Sequence, residues 1–278
     1  MGWRRPAIEY KTREQFALMR EAGLLVNRLH EQIERELTPG MTTADLDEIA
    51  AGVIADGGGT PNFLGYQGFP ATVCVSVNEE IVHGIPGERV INDGDVVSVD
   101  AGCIIQGWHS DAARTHIVGA ARSEEDAELI RVTENAMWDG IAAAASAKTA
   151  KDIGAAIEDS VTAAVGERFQ HLEDFGGHGI GSAMHQPPDI MNFRTRGRSA
   201  AIRPGMAFCI EPMLVIGPAD YAVLEDDWTV VAVSGKRAAH CEHAVAILDD
   251  GLFVLTAEDG GAAELAARGV SIAADPRG

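Results

Sequence analysis

The feature that most limits the folds open to this chain is an internal duplication. Thr42-x-x-Asp45-Leu46 returns as Thr149-x-x-Asp152-Ile153, and His83-Gly84-Ile85 returns as His178-Gly179-Ile180. Ile91-x-x-Gly94-x-x-x-x-Val99-Asp100 returns as Ile202-x-x-Gly205-x-x-x-x-Ile210-Glu211. Each match alone is weak, because glycine and isoleucine are common. Three in one order, at offsets of 107, 95 and 111 residues, mark a doubled unit. The element signals repeat in step. Thr12 with Gln15 reads as a capping box for a helix over 12–37, with Phe16, Met19, Val26, Leu29, Ile33 and Leu37 on one face and Pro39-Gly40 as the stop. A second helix runs from near Thr42 to the Gly57-Gly58-Gly59 break, and Val-rich strands follow at 72–77, 95–101 and 111–118. Ser123 with Asp126 then caps a long helix through about 147, and Thr149 opens a shorter one through about 165. From Gly176 the chain returns to strands and Gly/Pro turns until 256. The expected fold class is α/β (α+β): two related halves of antiparallel sheets flanked by helices, closing on a cleft along a pseudo-twofold axis.

Such a fold needs a sizeable core, and 278 residues with 46% hydrophobic content supply one. Against 42 Asp+Glu there are only 22 Lys+Arg, a net charge of −20, which repels phosphate backbones and anionic lipid and argues against general nucleic-acid or membrane-surface binding. Cys74, Cys103, Cys209 and Cys241 form no CxxC pair and are too sparse for a disulfide framework, so a reducing cytoplasmic compartment is expected. Arg4-Arg5 has no apolar stretch behind it, so the N-terminus does not read as a signal peptide. The longest near-apolar run, 141–147, is far short of a membrane span.

Four acids stand out against this background. Asp100 ends the nearly all-apolar strand Val96-Val97-Ser98-Val99, and Asp111 comes eleven residues later, after the turn-like Gln106-Gly107. Glu211 occupies the matching strand end in the second half, and Glu242 stands just before the apolar run that begins at Ala244. The duplication sets Asp100 opposite Glu211 and His83 opposite His178. Opposed carboxylates at the ends of apolar strands are costly unless a cation lies between them. Four carboxylates with one imidazole suit a pair of divalent ions such as Mn, Fe or Co, with carboxylates bridging. Without the duplication, the same acids would read as scattered structural residues.

Taken together, His83-Gly84-Ile85-Pro86, the Asp100/Asp111 pair, Gly177-His178-Gly179-Ile180-Gly181 with His185 behind it, Ile210-Glu211-Pro212-Met213 and Glu242-His243 resemble the type I methionine aminopeptidases over roughly residues 8–256. The resemblance implies the two-half pita-bread fold. It also implies a single catalytic domain over 12–256 (halves about 12–120 and 121–256), after a short N-terminal segment 1–11 and before a loosely held tail 257–278. It implies that Asp100, Asp111, His178, Glu211 and Glu242 hold two divalent ions (Co, Mn, Fe or Zn). Asp111 and Glu242 would bridge, His178 and Glu211 would complete one ion, and Asp100 the other. A water between the ions would attack the carbonyl after the N-terminal residue, with Glu211 as proton acceptor. His83 would contact the scissile amide nitrogen, and His185 would donate to the carbonyl oxygen. The substrates implied are nascent polypeptides with N-terminal methionine and a small second residue, cleaved by a monomer that contacts no membrane.

Some positions depart from the family's commoner pattern. Gln67 stands where histidine is usual, Phe69 where tyrosine is frequent, and Met184 where phenylalanine is common. Tyr66, Phe69, Cys74, Met184 and Trp228 would line an apolar pocket for an unbranched thioether. Of the other histidines, His109 and His243 abut ligands and read as supporting or packing residues. His30, His116, His171 and His240 default to surface or satisfied-core positions. Against the acidic background, Arg194, Arg196, Arg198 and Arg203 cluster in extra length of the second half, either as a solvated loop or as a contact with ribosomal RNA. The rival readings are an X-Pro aminopeptidase or prolidase, which usually carries a substantial N-terminal domain, and a non-catalytic scaffold, which would have lost ligands. A cysteine hydrolase built on Cys74 or Cys241 lacks a nucleophile–base–orienter pattern.

Overall fold

Thr12 opens helix α1, Arg13–Glu36: its hydroxyl accepts the Gln15 N–H while the Gln15 side chain accepts the Thr12 N–H. The structure, a computed structural model, describes residues 7–278; Arg4-Arg5 and the first residues of the expected N-terminal segment lie outside the described residues. The face of α1 buries Phe16, Met19, Val26, Leu29 and Ile33 as the periodicity predicts, and adds Ala22 and Leu25. Leu37 is the half-buried C-cap, still packed against the same core as Val26, Leu29 and Ile33. Helix α2, Thr43–Asp56, packs beside α1, and both cover the strands Cys74–Val77, Val96–Ile105 and Trp108–Ile117. In the second half α3, Glu124–Ala144, and α4, Ala150–Val165, cover a five-stranded antiparallel sheet. Its strand order is Gly251–Val254, His243–Leu248, Ala207–Ile210, Gly177–Gly179, Gln186–Ile190. The strands Val96–Ile105 and Trp108–Ile117 run longer than the residues 95–101 and 111–118 suggested, because their hairpin turns tightly at Gln106-Gly107.

The duplication holds in the hydrogen bonds. Thr42 bridges Val90 and Thr149 bridges Ala201, the residues just before Ile91 and Ile202. Ile91 donates its N–H to Met41 O at 2.8 Å, and Ile202 donates to Lys148 O at 3.1 Å. Asp45 and Asp152 each accept the N–H of their own cap threonine. Gly94 and Gly205 both take the left-handed backbone, φ 75° and 89°, that glycine adopts without strain. In each half, a capped helix start is thus tied to the segment that leads into the acid-bearing strand.

The halves are stitched along Trp108–Ile117. Glu242 donates its N–H to Ala113 O at 2.9 Å, His240 donates its N–H to Thr115 Oγ1 at 3.0 Å, and His109 donates its N–H to Gly181 O at 2.9 Å. No helix among the described residues is long and apolar enough to cross a membrane.

Residues 257–278, expected to be loosely held, are docked. Helix α5, Ala262–Ala267, buries Leu265 in the second-half core, and Ile272 bridges Leu252. The anchor is Arg20 of α1, only 1% exposed. Its guanidinium donates to Leu255 O, Ala257 O and Glu258 O at 2.6–2.7 Å and faces Asp275 at 3.6 Å. The Ala/Gly-rich composition hides this, because the tethering charge lies at the other end of the chain. Arg20→Met keeps the bulk of the side chain but leaves buried carbonyls without donors. A loss of about 3 kcal/mol in chemical denaturation is expected, with early proteolysis of the tail; an unchanged midpoint would contradict this anchoring.

Candidate metal centre

The hairpin register places the first two acids. Asp100 lies across from Ala113, and Gly102 lies across from Asp111. Side chains two apart share a face, so Asp100 and Asp111 project from the same face, diagonally across Gly102. A Cβ on residue 102 would lie 2.3 Å from Asn62 Nδ2 and 2.8 Å from Asp111 Oδ1, so glycine keeps the space between the acids open. Glu211 directly follows strand Ala207–Ile210, and Glu242 directly precedes strand His243–Leu248, with His243 paired to Ile210. Both therefore leave neighbouring strands of the second sheet at the same end. The Glu242–Ala113 main-chain pair brings that end against the hairpin. His178 reaches the site from strand Gly177–Gly179, its Nε2 3.4 Å from Glu211 Oε1.

Asp100 Oδ1, Asp111 Oδ1, Glu211 Oε1 and Glu242 Oε1 are buried without a hydrogen-bond partner. Burial, reinforced by the charges of the neighbouring acids, holds Asp111, Glu211 and Glu242 well above the usual carboxylate range. Asp100 is pushed up to about 6 by burial, opposed by His240. Burial lowers His178 to about 3, so its imidazole is neutral. Its Nδ1 contacts Gly179 O at 3.1 Å, and donation there leaves the Nε2 lone pair facing Glu211. Asp100, Asp111 and Glu242 offer donor atoms within 4.8 Å of one another, as do Glu211, His240 and Glu242. Cys209 offers its sulfur within 4.8 Å of donor atoms of His178 and Glu242, and burial and three nearby acids hold its thiol well above the usual range. Partnerless buried oxygens around a neutral imidazole are a donor set that divalent cations satisfy.

The acids lie in a cavity of about 730 Å³, and every site residue singled out in the sequence lines it. Phe69, Cys74 and Met184 form one apolar cluster with Phe63 and Ala71, and Tyr66 and Trp228 pack against it. His83 takes a left-handed backbone, φ 61°, uncommon for a non-glycine residue. Its ring lies edge-on to Phe175 and Trp228, and burial lowers it to about 4. His185 stands at the exposed rim, its ring 4.1 Å from that of His178 and its Nδ1 2.9 Å from the Tyr66 hydroxyl. His243 turns away, bonding Thr256 Oγ1 at 2.7 Å and stacking on Trp138, as a packing residue should. Sequence reasoning missed Phe63, Phe175, Gly102 and above all His240. That last residue is neither surface nor satisfied core, since its Nε2 is buried, partnerless and directed at Glu211 and Glu242. No local pattern marks it: strand Ala238–His240 ends at His240, and Glu242 lies outside it.

In the metal-free folded protein Asp100 keeps its proton up to about pH 6, whereas the unfolded chain releases it near 3.8. The stability from this group is therefore full below about pH 4 and is lost as pH rises through 6. Metal-free Asp100→Asn should match the wild type at pH 4 and exceed it by roughly 3 kcal/mol above pH 7. Denaturant titrations in chelator would read the gap; parallel pH profiles would count against it.

The profile of metallopeptidase family M24 matches residues 17–249. Methionine aminopeptidase 1 of Bacillus subtilis is 41% identical over 246 residues, covering 88% of this chain and 98% of that one. The crystal structure of methionine aminopeptidase from Rickettsia prowazekii matches with a TM-score of 0.86 at 32% identity, covering 90% of this chain and 100% of that one. A prolidase from Pyrococcus furiosus shares the fold, with a TM-score of 0.71, but at 21% identity and over only 65% of its length. The pita-bread expectation and the metal-dependent hydrolase expectation both hold, and this chain belongs to metallopeptidase family M24, alongside its methionine aminopeptidases.

Proposed function

We propose that this chain removes N-terminal methionine from nascent polypeptides whose second residue is small, using two divalent ions (Co, Mn, Fe or Zn). One observation carries the reading: four buried carboxylates, each with one partnerless oxygen, and a neutral imidazole converge at an apolar-walled cavity. Asp100, Asp111, His178, Glu211 and Glu242 would hold the ions, with Asp111 and Glu242 able to serve both, His178 and Glu211 one, and Asp100 the other. When bound, the ions supply an acidified water and polarise the substrate carbonyl.

The chain's own residues do the rest. Glu211, beside His178 at the centre, accepts the proton of the attacking water. When the Tyr66 hydroxyl donates to His185 Nδ1, the imidazole carries its remaining proton on Nε2, free to donate to the carbonyl oxygen as negative charge develops. His83, neutral and held between Phe175 and Trp228, contacts the scissile amide nitrogen. The free α-amine lies near Asp100, which restricts cleavage to the first residue. Tyr66, Phe69, Cys74, Met184 and Trp228 surround the methionine side chain, where soft and aromatic contacts favour a thioether.

The chain acts in the cytoplasm as a monomer in this reading; four free, buried cysteines suit a reducing compartment. The exposed loop of Arg194, Arg196 and Arg198 is its contact with the ribosome. Arg194 already forks onto Glu158 and Asp159, so Arg196 and Arg198 carry the free charge. Reversing both to Glu should weaken ribosome co-sedimentation and leave peptide turnover intact; unchanged co-sedimentation would end that part.

Met-Ala-Ser, Ala-Pro and Leu-Ala peptides, assayed in chelator and then with each metal, test the activity. Metal-dependent release of methionine is expected, with Glu211→Gln lowering kcat at least about 100-fold. Preference for Ala-Pro would favour an X-Pro peptidase, and silence under every metal would favour a scaffold.

A further inference from the structure

We infer that His240 is a further ligand of the metal centre, a second imidazole beside His178. The inference rests on the reading that this centre holds divalent ions, and extends it to a residue whose sequence context suggested only packing. His240 ends strand Ala238–His240, paired to Met213. Thr115 clamps its backbone from the other half: the Thr115 hydroxyl donates to His240 O at 2.7 Å and accepts the His240 N–H at 3.0 Å. The residue is 2% exposed, and Nε2 has no hydrogen-bond partner.

That nitrogen lies 3.7 Å from Glu211 Oε2 and 3.9 Å from Glu242 Oε2. Both separations are too long for hydrogen bonds. They match two donors on one ion: with metal–donor distances of about 2.1 Å, ligand atoms stand from about 3 Å apart at a right angle to about 4.2 Å when opposed. The His178 Nε2–Glu211 Oε1 separation of 3.4 Å falls in the same range. An imidazole meant only to orient Glu211 would sit at hydrogen-bond distance from it. The clamp by Thr115 instead holds His240 back by the space an ion fills.

A second nitrogen donor changes the chemistry of the centre. A carboxylate set with one imidazole accepts Mn readily; a second imidazole moves the preference toward Co and Zn. His240 is thus a determinant of metal selectivity.

Calorimetric titration of metal-free wild type and His240→Gln with Co and with Mn tests this. The variant should lose about tenfold or more in Co affinity at one of two equivalents, with a smaller loss for Mn. Because the variant could misfold, the wild type gives a separate reading: long-range ¹⁵N–¹H spectra of the Zn-loaded protein should show two metal-bound imidazole nitrogens, those of His178 and His240. Two equivalents of metal with only one bound imidazole, or Co and Mn affinities unchanged from the wild type in a folded variant, would overturn the inference and leave the metallopeptidase reading standing. A wild type that takes up no metal would overturn both.

Discussion

Four carboxylates are held out of water at the meeting of two sheets with no protein donor to satisfy their inward oxygens. Removing an acid from water costs several kcal/mol unless it is protonated or paired, and these acids also repel one another. Much of the architecture keeps them together against that cost. The hairpin supplies Asp100 and Asp111 from one strand pair, the second sheet supplies Glu211 and Glu242 from two adjoining strand ends, and the Ala113–Glu242 and Thr115–His240 hydrogen bonds prevent the halves from sliding apart.

The duplication explains how so unfavourable a cluster could be positioned. Each half repeats one device: a capped helix start bridged to the residue before an isoleucine, then a left-handed glycine, then an apolar stretch leading to an acid, which lies inside strand Val96–Ile105 in the first half and just past strand Ala207–Ile210 in the second. The two copies have since diverged in what surrounds them. The first half continues its acid strand into a long hairpin with a second acid. The second gains a longer excursion between His178 and Ile202, which carries the rim histidine, the pocket methionine and the basic loop.

Catalytic geometry and metal chemistry then share one set of side chains. Burial keeps the His178 imidazole neutral and raises the Cys209 thiol and the Glu211 carboxyl well above their usual ranges. The apolar cluster Phe63, Phe69, Cys74 and Met184 lines the same cavity as the acids.

Much was legible from residues alone, because periodicity and capping are local. The helices begin at the threonines and serine that mark them, and the motifs singled out Asp100, Asp111, His178, Glu211 and Glu242, which the fold brings to one cavity. Three matters were decided only in three dimensions. The Ala/Gly-rich tail reads as loose, yet a buried arginine from α1 fastens it. Gly102 looks like any strand glycine until the register sets it opposite Asp111. His240 sits in no repeated motif, and its bearing on the acids comes from a pairing with Thr115, 125 residues away. Local pattern determines which elements form and which faces they bury; a contact across the seam depends on how two separately specified sheets dock, and no short stretch of chain encodes that distance.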